Sequence, residues 1–304
     1  MATTRLRLGT RGSALARAQA TMVARDLEAT HPGLAVELVL IRTTGDRLQQ
    51  GPLASAGGKG LFVKELEEAL AAGSIDFAVH SMKDVPAVVP EAFVIAAIPP
   101  RADPRDVLVS RDDGLAALPA GARVGTASVR RRAQLLARRR DLDVVVLRGN
   151  VDTRLRRWRD GDFTAIVLAA AGLARLGIDE PAARPLPTDV LLPAVGQGAL
   201  ALECRAADAT TRACLAGLDD APSASAVAAE RAFLRAIGGD CNTPLAAHAT
   251  VEGGRLALRA QVSDLEGTRW LEDAADGATG DAGALGRALA ERLLARGAGA
   301  LIGR

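Results

Sequence analysis

Lys83 and Asp84 are the residues of this sequence best placed for chemistry. They follow residues 75–79, a short and mostly apolar run with a β-branched residue at each end, which predicts a buried strand. Ligands of open α/β sheets bind outside the carboxyl ends of the strands. An adjacent cation and acid at such a strand end are therefore candidates for site chemistry, the alternative being an ordinary ion pair on a surface loop.

The use of lysine at position 83 favours the chemical interpretation. Of 38 Lys plus Arg, only Lys59, Lys64 and Lys83 are lysines. A compact ammonium group changes its pKa when it is buried, whereas a guanidinium group stays charged. Pro86 prevents a helix from continuing through the loop, so we expect Lys83 and Asp84 to stay near the strand end.

Arginines recur at predicted strand ends, at helix starts and in the loops between them. A guanidinium group binds carboxylates and phosphates through two parallel hydrogen bonds, so several that converge on one ligand indicate a ligand with many acidic groups. Arg130 and Arg131 are predicted in the first turn of a helix, where the dipole disfavours cations unless an anion is present. Residues 138–140 are instead predicted to form a solvated basic face. The candidate arginines are Arg11, Arg130, Arg131, Arg148, Arg154 and Arg175.

Cys241 differs from the other two cysteines of the chain. It follows a Gly-rich break and precedes Pro244, whereas Cys204 and Cys214 lie in apolar patterns typical of a core. A loop cysteine is more available for covalent chemistry, although the neighbouring Asp240 disfavours a thiolate. Three cysteines without a Cys-x-x-Cys spacing argue against a disulfide framework and a zinc site, and the scattered histidines indicate no metal site.

Composition limits the class of protein. The 304 residues are 49% hydrophobic and 24% charged, an ordinary globular balance, and the net charge is only +2. Aromatic residues make up 2% and tyrosine is absent, so few residues could stack on nucleic-acid bases. No apolar run approaches the roughly 20 residues of a membrane span, and the first residues lack the apolar core of a signal peptide. We therefore expect a cytoplasmic protein that binds neither nucleic acid nor membranes.

The order of predicted elements indicates an α/β protein of two similar lobes followed by a small α+β domain. A strand at residues 5–10 leads through Ser13, a predicted N-cap, into a helix, and this plan recurs at residues 124–130. The predicted strand that ends at Glu203 is expected to rejoin the first lobe. From about residue 221, a helix, three strand-like runs and a last helix predict the final domain. The expected boundaries are 1–99 with 199–217 for lobe 1, 100–198 for lobe 2 and 218–304 for the final domain.

Seven motifs, taken together and in this order, resemble the porphobilinogen deaminase family, also called hydroxymethylbilane synthases. They are residues 10–13, 57–66, 78–86, 125–128, 147–151 and 192–198, and Cys241 with Pro244. Any one of them is weak, but their common order is specific and covers nearly the whole chain. The resemblance implies two doubly wound lobes like those of periplasmic binding proteins, and a small α+β C-terminal domain.

The resemblance also implies a transferase of tetrapyrrole, porphyrin and heme biosynthesis. The family joins four porphobilinogen molecules head to tail with loss of ammonia and releases hydroxymethylbilane. The chain grows on a dipyrromethane cofactor held by a thioether to a loop cysteine, which matches Cys241. Loss of ammonia leaves a cationic azafulvene, for which Asp84 would be acid, counter-ion and final base. We expect a monomer whose product passes to uroporphyrinogen-III synthase.

The resemblance assigns further site residues by matched position. The matches to cofactor contacts are Ser81, Lys83, Thr126, Ser128, Arg130 and Arg131. The matches to contacts with substrate and growing chain are Arg11, Ser13, Gln19, Arg148, Arg154 and Arg175. Lys59 lies in a Gly-rich stretch that matches the mobile lid of the family. Three departures from the pattern are Asp240 before the cysteine, Ser55 where some relatives carry a lysine, and Arg132, which extends the arginine pair.

Two other functions explain part of the sequence. A non-enzymatic, two-lobed protein that binds a small polycarboxylate accounts for the lobes and the arginines, but not for Cys241 or the final domain. It also predicts a secretion signal. An arginine-rich nucleic-acid binder accounts for the basic residues, but the chain lacks the aromatic residues and motifs of such proteins.

Overall fold

The chain divides into two compact units. The computed structural model describes residues 4–42, 63–240 and 242–303. One unit comprises Met1–Arg101 with Ala199–Ala224, and the other comprises Ala102–Gly198 with Ser225–Arg304. The division into three domains at the expected boundaries stays a prediction.

The described residues form three sheets and several helices. The strands are β1 (Thr4–Arg11), β2 (Leu34–Ile41), β3 (Phe77–Ser81), β4 (Phe93–Ala97), β5 (Asp106–Ser110), β6 (Arg123–Gly125), β7 (Asp143–Val145), β8 (Ala165–Ala169), β9 (Ala183–Pro185), β10 (Leu200–Arg205), β11 (Leu245–Glu252), β12 (Arg255–Ser263) and β13 (Trp270–Ala278). The helices are α1 (Ala14–Thr30), α2 (Lys64–Ala71), α3 (Val129–Arg138), α4 (Val151–Arg159), α5 (Ala170–Arg175), α6 (Ala209–Leu215), α7 (Ala221–Ile237), α8 (Ala282–Ala295) and α9 (Ala298–Leu301).

The first unit is built on a five-stranded sheet of order β2-β1-β3-β10-β4. β1 pairs in parallel with β2 and β3, whereas β10 runs antiparallel to β3 and β4. Helix α1 turns one apolar face, with Val23 and Leu27, toward the core that holds Leu8 and Phe77. Since β10 lies between β3 and β4, the expectation that this late strand rejoins the first lobe is confirmed.

The second unit repeats this arrangement in a sheet of order β7-β6-β8-β5-β9. β6 is parallel to β7 and β8, and β5 is antiparallel to its neighbours β8 and β9. The residues of β5 are buried throughout, as in a strand covered on both faces. The two similar sheets confirm the predicted doubly wound α/β lobes.

A small antiparallel sheet of order β11-β12-β13 completes the second unit. Its core joins Leu256 and Leu258 of β12 to Phe233 of α7 and Leu289 of α8. At Gly286 an added Cβ would lie 2.2 Å from the carbonyl oxygen of Ala229, so the absence of a side chain lets α7 and α8 approach closely. This sheet with its helices confirms the expected small α+β element.

The structure corrects the expected elements in two places. Strand β5 (Asp106–Ser110) was not predicted, because residues 99–105 were interpreted as a crossing between domains. The third strand of the small sheet was predicted at residues 268–272 but runs over Trp270–Ala278. Among the described residues, no helix has the length and apolar character needed to cross a membrane.

Candidate active site

In the first unit, several predicted site residues gather at the carboxyl edge of the sheet. β1 and β3 are parallel neighbours with Leu8 opposite Phe77, so their last residues, Arg11 and Ser81, lie at the same edge. Lys83 and Asp84 follow Ser81 in the loop after β3. The topology therefore brings these four residues to one side of the sheet, as the strand pattern predicted.

The loop that carries Lys83 and Asp84 is anchored by its apolar neighbours. Residues Met82–Asp84 form one 3₁₀ turn, in which Met82 N donates to Ala199 O (3.0 Å) and Val85 N donates to Met82 O (3.1 Å). Met82 and Val85 are buried, whereas Lys83 and Asp84 are exposed. The turn thus presents the ammonium and carboxylate groups outward on a fixed backbone. The preference for lysine at position 83 was explained by burial of its ammonium group. Because Lys83 is exposed, that explanation was wrong.

The turn from β1 into α1 is held by its own side chains. Ser13 caps α1 by accepting from Ala16 N (3.2 Å), which confirms the predicted N-cap. Thr10 Oγ1 donates to Ala16 O (3.1 Å). Gln19, one turn further along α1, is buried and donates through Nε2 to Ser81 Oγ (2.9 Å). Gln19 therefore connects α1 to the end of β3.

A buried acid–base pair lies behind the same strand end. His80 Nε2 is 2.9 Å from Glu203 Oε2, and both side chains are almost fully buried. Glu67 on α2 is affected by this pair. Its own burial, and secondarily the charge of Glu203, raises the pKa of Glu67. The sequence interpretation missed this pair, because 123 residues separate its two members.

In the second unit, the corresponding edge carries the other predicted residues. β6 and β8 are parallel, so Thr126, which follows β6, and α5, which follows β8, lie at the same edge. Ser128 caps α3 and donates its own backbone N–H to Thr126 Oγ1 (3.2 Å). Arg175 is the last residue of α5. The edge thus collects two hydroxyl groups and a guanidinium group.

Arg148 and Arg154 lie at the start of α4. Arg154 Nε donates to Gly149 O (2.7 Å), which fixes this side chain against the turn before the helix. Gly149 has a φ of 114°, a left-handed conformation that glycine adopts without strain. As the sequence predicted, Arg148 lies in the loop before α4 and Arg154 lies on that helix. Their role toward a substrate stays a prediction.

Arg130 and Arg131 are buried and pair with Asp106, the first residue of β5. Arg131 donates to Asp106 Oδ1 through Nε (3.0 Å) and Nη2 (2.7 Å), and Arg130 Nη1 is 2.8 Å from Asp106 Oδ2. The anion that the helix start required is thus supplied in part by the protein itself. The sequence interpretation missed Asp106, because strand β5 was not predicted.

Electrostatics at this cluster are strongly coupled. Burial alone would raise the pKa of Asp106, but the charges of Arg130 and Arg131 hold it far below its ordinary value. Burial lowers the pKa of Arg131, which the charge of Asp106 opposes. Two cations and one anion leave the cluster with one excess positive charge.

Arg175 is a partly buried cation of a different kind. Its Nη2 donates to Gly198 O (2.6 Å), and no carboxylate among the described residues forms an ion pair with it. Burial lowers the pKa of Arg175 to about 10. A desolvated guanidinium group with a carbonyl as partner is suited to an anionic ligand.

The solvated basic face predicted at residues 138–140 is confirmed in part, because Arg138 and Arg140 are exposed and Arg139 is half-buried. Arg139 donates to the carbonyl oxygens of Leu115 (2.9 Å) and Leu118 (2.9 Å). Arg140 donates to Gly267 O (2.6 Å). These side chains satisfy backbone carbonyl groups within the second unit, so their role is structural.

Comparison with known families identifies the chain. A family model described as the dipyromethane cofactor binding domain of porphobilinogen deaminase matches residues 6–213. The chain belongs to the porphobilinogen deaminase family. The C-terminal domain model of porphobilinogen deaminase matches residues 224–295. The family match confirms the resemblance and does not favour the binding-protein alternative.

Individual porphobilinogen deaminases are similar over nearly the full length. The chain is 55% identical over 299 residues to the porphobilinogen deaminase of Syntrophotalea carbinolica, which covers 98% of this chain and 95% of that protein. It is 52% identical over 298 residues to that of Moorella thermoacetica, with 98% and 95% covered. Among solved structures, the methionine binding protein MetQ is similar with a TM-score of 0.43 and 14% identity, covering 70% of this chain and 89% of that one.

Three residues that the porphobilinogen deaminase resemblance singled out, Ser55, Lys59 and Cys241, lie outside the described residues. Asp240, which precedes Cys241, is described. Its Oδ1 accepts from Asn242 N (2.9 Å) and from Thr243 Oγ1 (3.1 Å). The carboxylate that departs from the Gly-Gly-Cys pattern therefore closes a local turn.

Proposed function

We propose that this chain is a transferase that joins four porphobilinogen molecules head to tail on a covalent dipyrromethane primer and releases hydroxymethylbilane. The observation that carries the proposal is the match of residues 6–213 to the dipyromethane cofactor binding domain of the family. The exposed carboxylate at Asp84 and the cationic groups of the second unit suit the chemistry of such a reaction.

The residues present fit a polyanionic cofactor. Arg130 is 5% exposed, and its buried Nε has no hydrogen-bond partner among the described residues. A buried guanidinium edge of this kind is costly unless an anion binds to it. We propose that the cofactor is attached at Cys241 and contacts Ser81, Lys83, Thr126, Ser128, Arg130 and Arg131. When bound, it supplies the free pyrrole carbon on which the chain is extended.

Asp84 is the proposed catalytic residue. Its carboxyl group donates a proton to the departing amine, so the bond from carbon to nitrogen breaks and ammonia leaves. The resulting positive charge on the substrate pyrrole is stabilised by the carboxylate. After the new carbon–carbon bond forms, Asp84 recovers a proton from the newly joined ring, and its protonation state is restored in each cycle. The fixed turn at Met82–Asp84 keeps the carboxylate in place for both transfers.

The remaining predicted residues recognise the carboxylates of substrate and growing chain. Each porphobilinogen carries two carboxylates, which suit the bidentate geometry of arginine. We assign this role to Arg11, Ser13, Gln19, Arg148, Arg154 and Arg175. Of these, Arg175 has the environment that most favours a bound anion, because it is desolvated without an ion-pair partner in the described part of the chain. Lys59 is proposed to belong to a lid.

Intact mass measurement tests the proposed function. The purified protein should exceed its sequence mass by two linked pyrrole units, on the peptide that contains Cys241, and should gain pyrrole units when porphobilinogen is added. Ammonia should be released in equal number to the pyrrole units added. A protein that keeps the bare sequence mass, even after incubation with preformed hydroxymethylbilane, would contradict the proposal.

We also propose a cytoplasmic monomer whose product is passed to uroporphyrinogen-III synthase. The reaction consumes a small soluble substrate, and the proposed site residues all come from one chain. Light scattering after gel filtration should give a mass near 31.3 kDa. A coupled assay with uroporphyrinogen-III synthase should convert the released product. A larger assembly at micromolar concentration would contradict the monomer.

A further inference from the structure

The two arginines at the start of α3 use their N–H groups differently. A guanidinium group has five N–H donors, and its Nε and Nη2 edge is one of the forks that bind a carboxylate through two bonds. In Arg131 this edge is occupied, since Nε and Nη2 both donate to Asp106 Oδ1. Arg131 Nη1 donates to Val167 O (2.8 Å), which fixes the rest of the group.

Arg130 leaves the same edge without a partner among the described residues. Its Nη1 donates to Leu192 O (2.6 Å) and faces Asp106 Oδ2 at 2.8 Å, without the alignment of a hydrogen bond. Its Nε is buried and unpartnered within the described ranges, although the residue is 5% exposed. A fork of Arg130 therefore stays available to a ligand carboxylate.

Asp106 is itself held in place by more than the arginines. Gln197 Nε2 donates to Asp106 Oδ1 (2.9 Å) and to Pro104 O (2.7 Å). Leu186 N donates to Asp106 O (2.8 Å). With its backbone in β5 and Oδ1 accepting three donors, the carboxylate has a fixed orientation. Asp106 Oδ2 retains the capacity to accept a well-aligned hydrogen bond.

We propose that Asp106 and Arg131 are positioning residues, which together keep the Nε–Nη2 edge of Arg130 available to grip a carboxylate of the dipyrromethane cofactor. The inference rests on the proposed function. Arg131 satisfies Asp106, so the acid does not draw the fork of Arg130 to itself. Without Arg131, Arg130 is the nearest cation to the buried carboxylate and turns its fork toward it. Arg131 thus acts on Arg130 through Asp106, in addition to the cofactor contact proposed for Arg131 above.

The experiment compares cofactor loading in single and double variants of the full chain. The readouts are the fraction of purified protein with the added mass of two pyrrole units, and the thermal unfolding midpoint. Arg131→Gln is expected to lower the loaded fraction at least fivefold, because Asp106 then engages Arg130. Adding Asp106→Asn to Arg131→Gln is expected to restore at least half of wild-type loading. A merely structural role would move the loaded fraction and the unfolding midpoint together, whereas the positioning role predicts low loading even in folded Arg131→Gln protein.

The matched control is Arg130→Gln with Asp106→Asn. It carries the same loss of one cation and one anion, yet loading is expected to stay at least fivefold below wild type because the gripping fork is gone. If Arg131→Gln does not yield folded protein, the two double variants still test the proposal. Both replace the Asp106 carboxylate by an amide, so neither buries an uncompensated carboxylate.

The proposal is overturned if Arg131→Gln with Asp106→Asn is loaded no better than the matched control. It is also overturned if Arg131→Gln alone loads like wild type. If the wild-type protein carries the added mass, either of these results overturns only this inference and leaves the proposed function intact. A wild-type protein without the added mass removes the proposed function first, and this inference with it.

Discussion

Asp106 accepts two hydrogen bonds from Arg131, although 25 residues separate them along the chain. Both side chains are buried, and Asp106 is fully so. Removing one member of a buried ion pair typically costs about 3 to 5 kcal/mol, because the partner charge stays buried without compensation. Asp106→Asn should therefore lower the thermal unfolding midpoint clearly, as measured by calorimetry. Asp113→Asn, at an exposed acid in the loop after β5, is the control and should change it little.

The stability contribution of Asp106 should depend on pH in the acid range. Its pKa in the folded protein is held below the ordinary value of 3.8, so the folded state binds its proton less readily than the unfolded state. The contribution of Asp106 to the free energy of unfolding is complete at pH values above 3.8. It declines by about 1.4 kcal/mol per pH unit as the pH falls below 3.8. The difference between wild type and Asp106→Asn should be constant from pH 5 to 8 and narrow below pH 4. A difference that widens on acidification would contradict this assignment.

Asp84→Asn should remove most turnover while the fold and the bound cofactor remain. The side chain is exposed on an anchored turn, so its loss removes proton transfer rather than packing. General acid–base catalysis is typically worth about 10²- to 10⁴-fold. Single-turnover assays of ammonia release, combined with intact mass, measure both properties. Glu91→Gln, at another exposed acid of the first unit, is the control and should keep wild-type turnover.

Cys241→Ser should yield a protein without the dipyrromethane mass. A serine hydroxyl group is a far weaker nucleophile than a thiolate and would not form the thioether. Cys214→Ser is the matched control, because that thiol lies on α6 and its pKa is raised by burial, which disfavours reaction. Intact mass of both variants checks the prediction. A normally loaded Cys241→Ser would place the attachment elsewhere.

Arg175→Met should weaken substrate binding without loss of stability. The guanidinium group is desolvated and has no ion-pair partner in the described part of the chain, so an apolar side chain removes an electrostatic cost. A lost charge-assisted hydrogen bond costs about 1.5 to 3 kcal/mol, so KM for porphobilinogen should rise roughly 10- to 100-fold. Steady-state kinetics and calorimetry measure the two effects. A lowered unfolding midpoint with an unchanged KM would assign Arg175 a structural role.

Much of the local structure could be predicted from short patterns. The N-cap at Ser13, the strand before Lys83 and Asp84, and the recurrence of the strand-to-helix plan at Thr126–Ser128 depend on residues a few positions apart. The prediction of a solvated basic face at residues 138–140 was right about exposure, since Arg138 and Arg140 are exposed. It could not show that distant carbonyl groups such as Gly267 O accept hydrogen bonds from these side chains.

The sequence by itself determined the α/β class, the family and the residue types of the site, because hydrophobic periodicity, caps and ordered motifs are local properties of the chain. Only the tertiary structure decided which polar and charged side chains meet. Asp106 lies 91 residues from Gln197, and His80 lies 123 residues from Glu203. Such contacts depend on which strands become neighbours in a sheet, and a buried ion pair forms only where packing removes water from both partners.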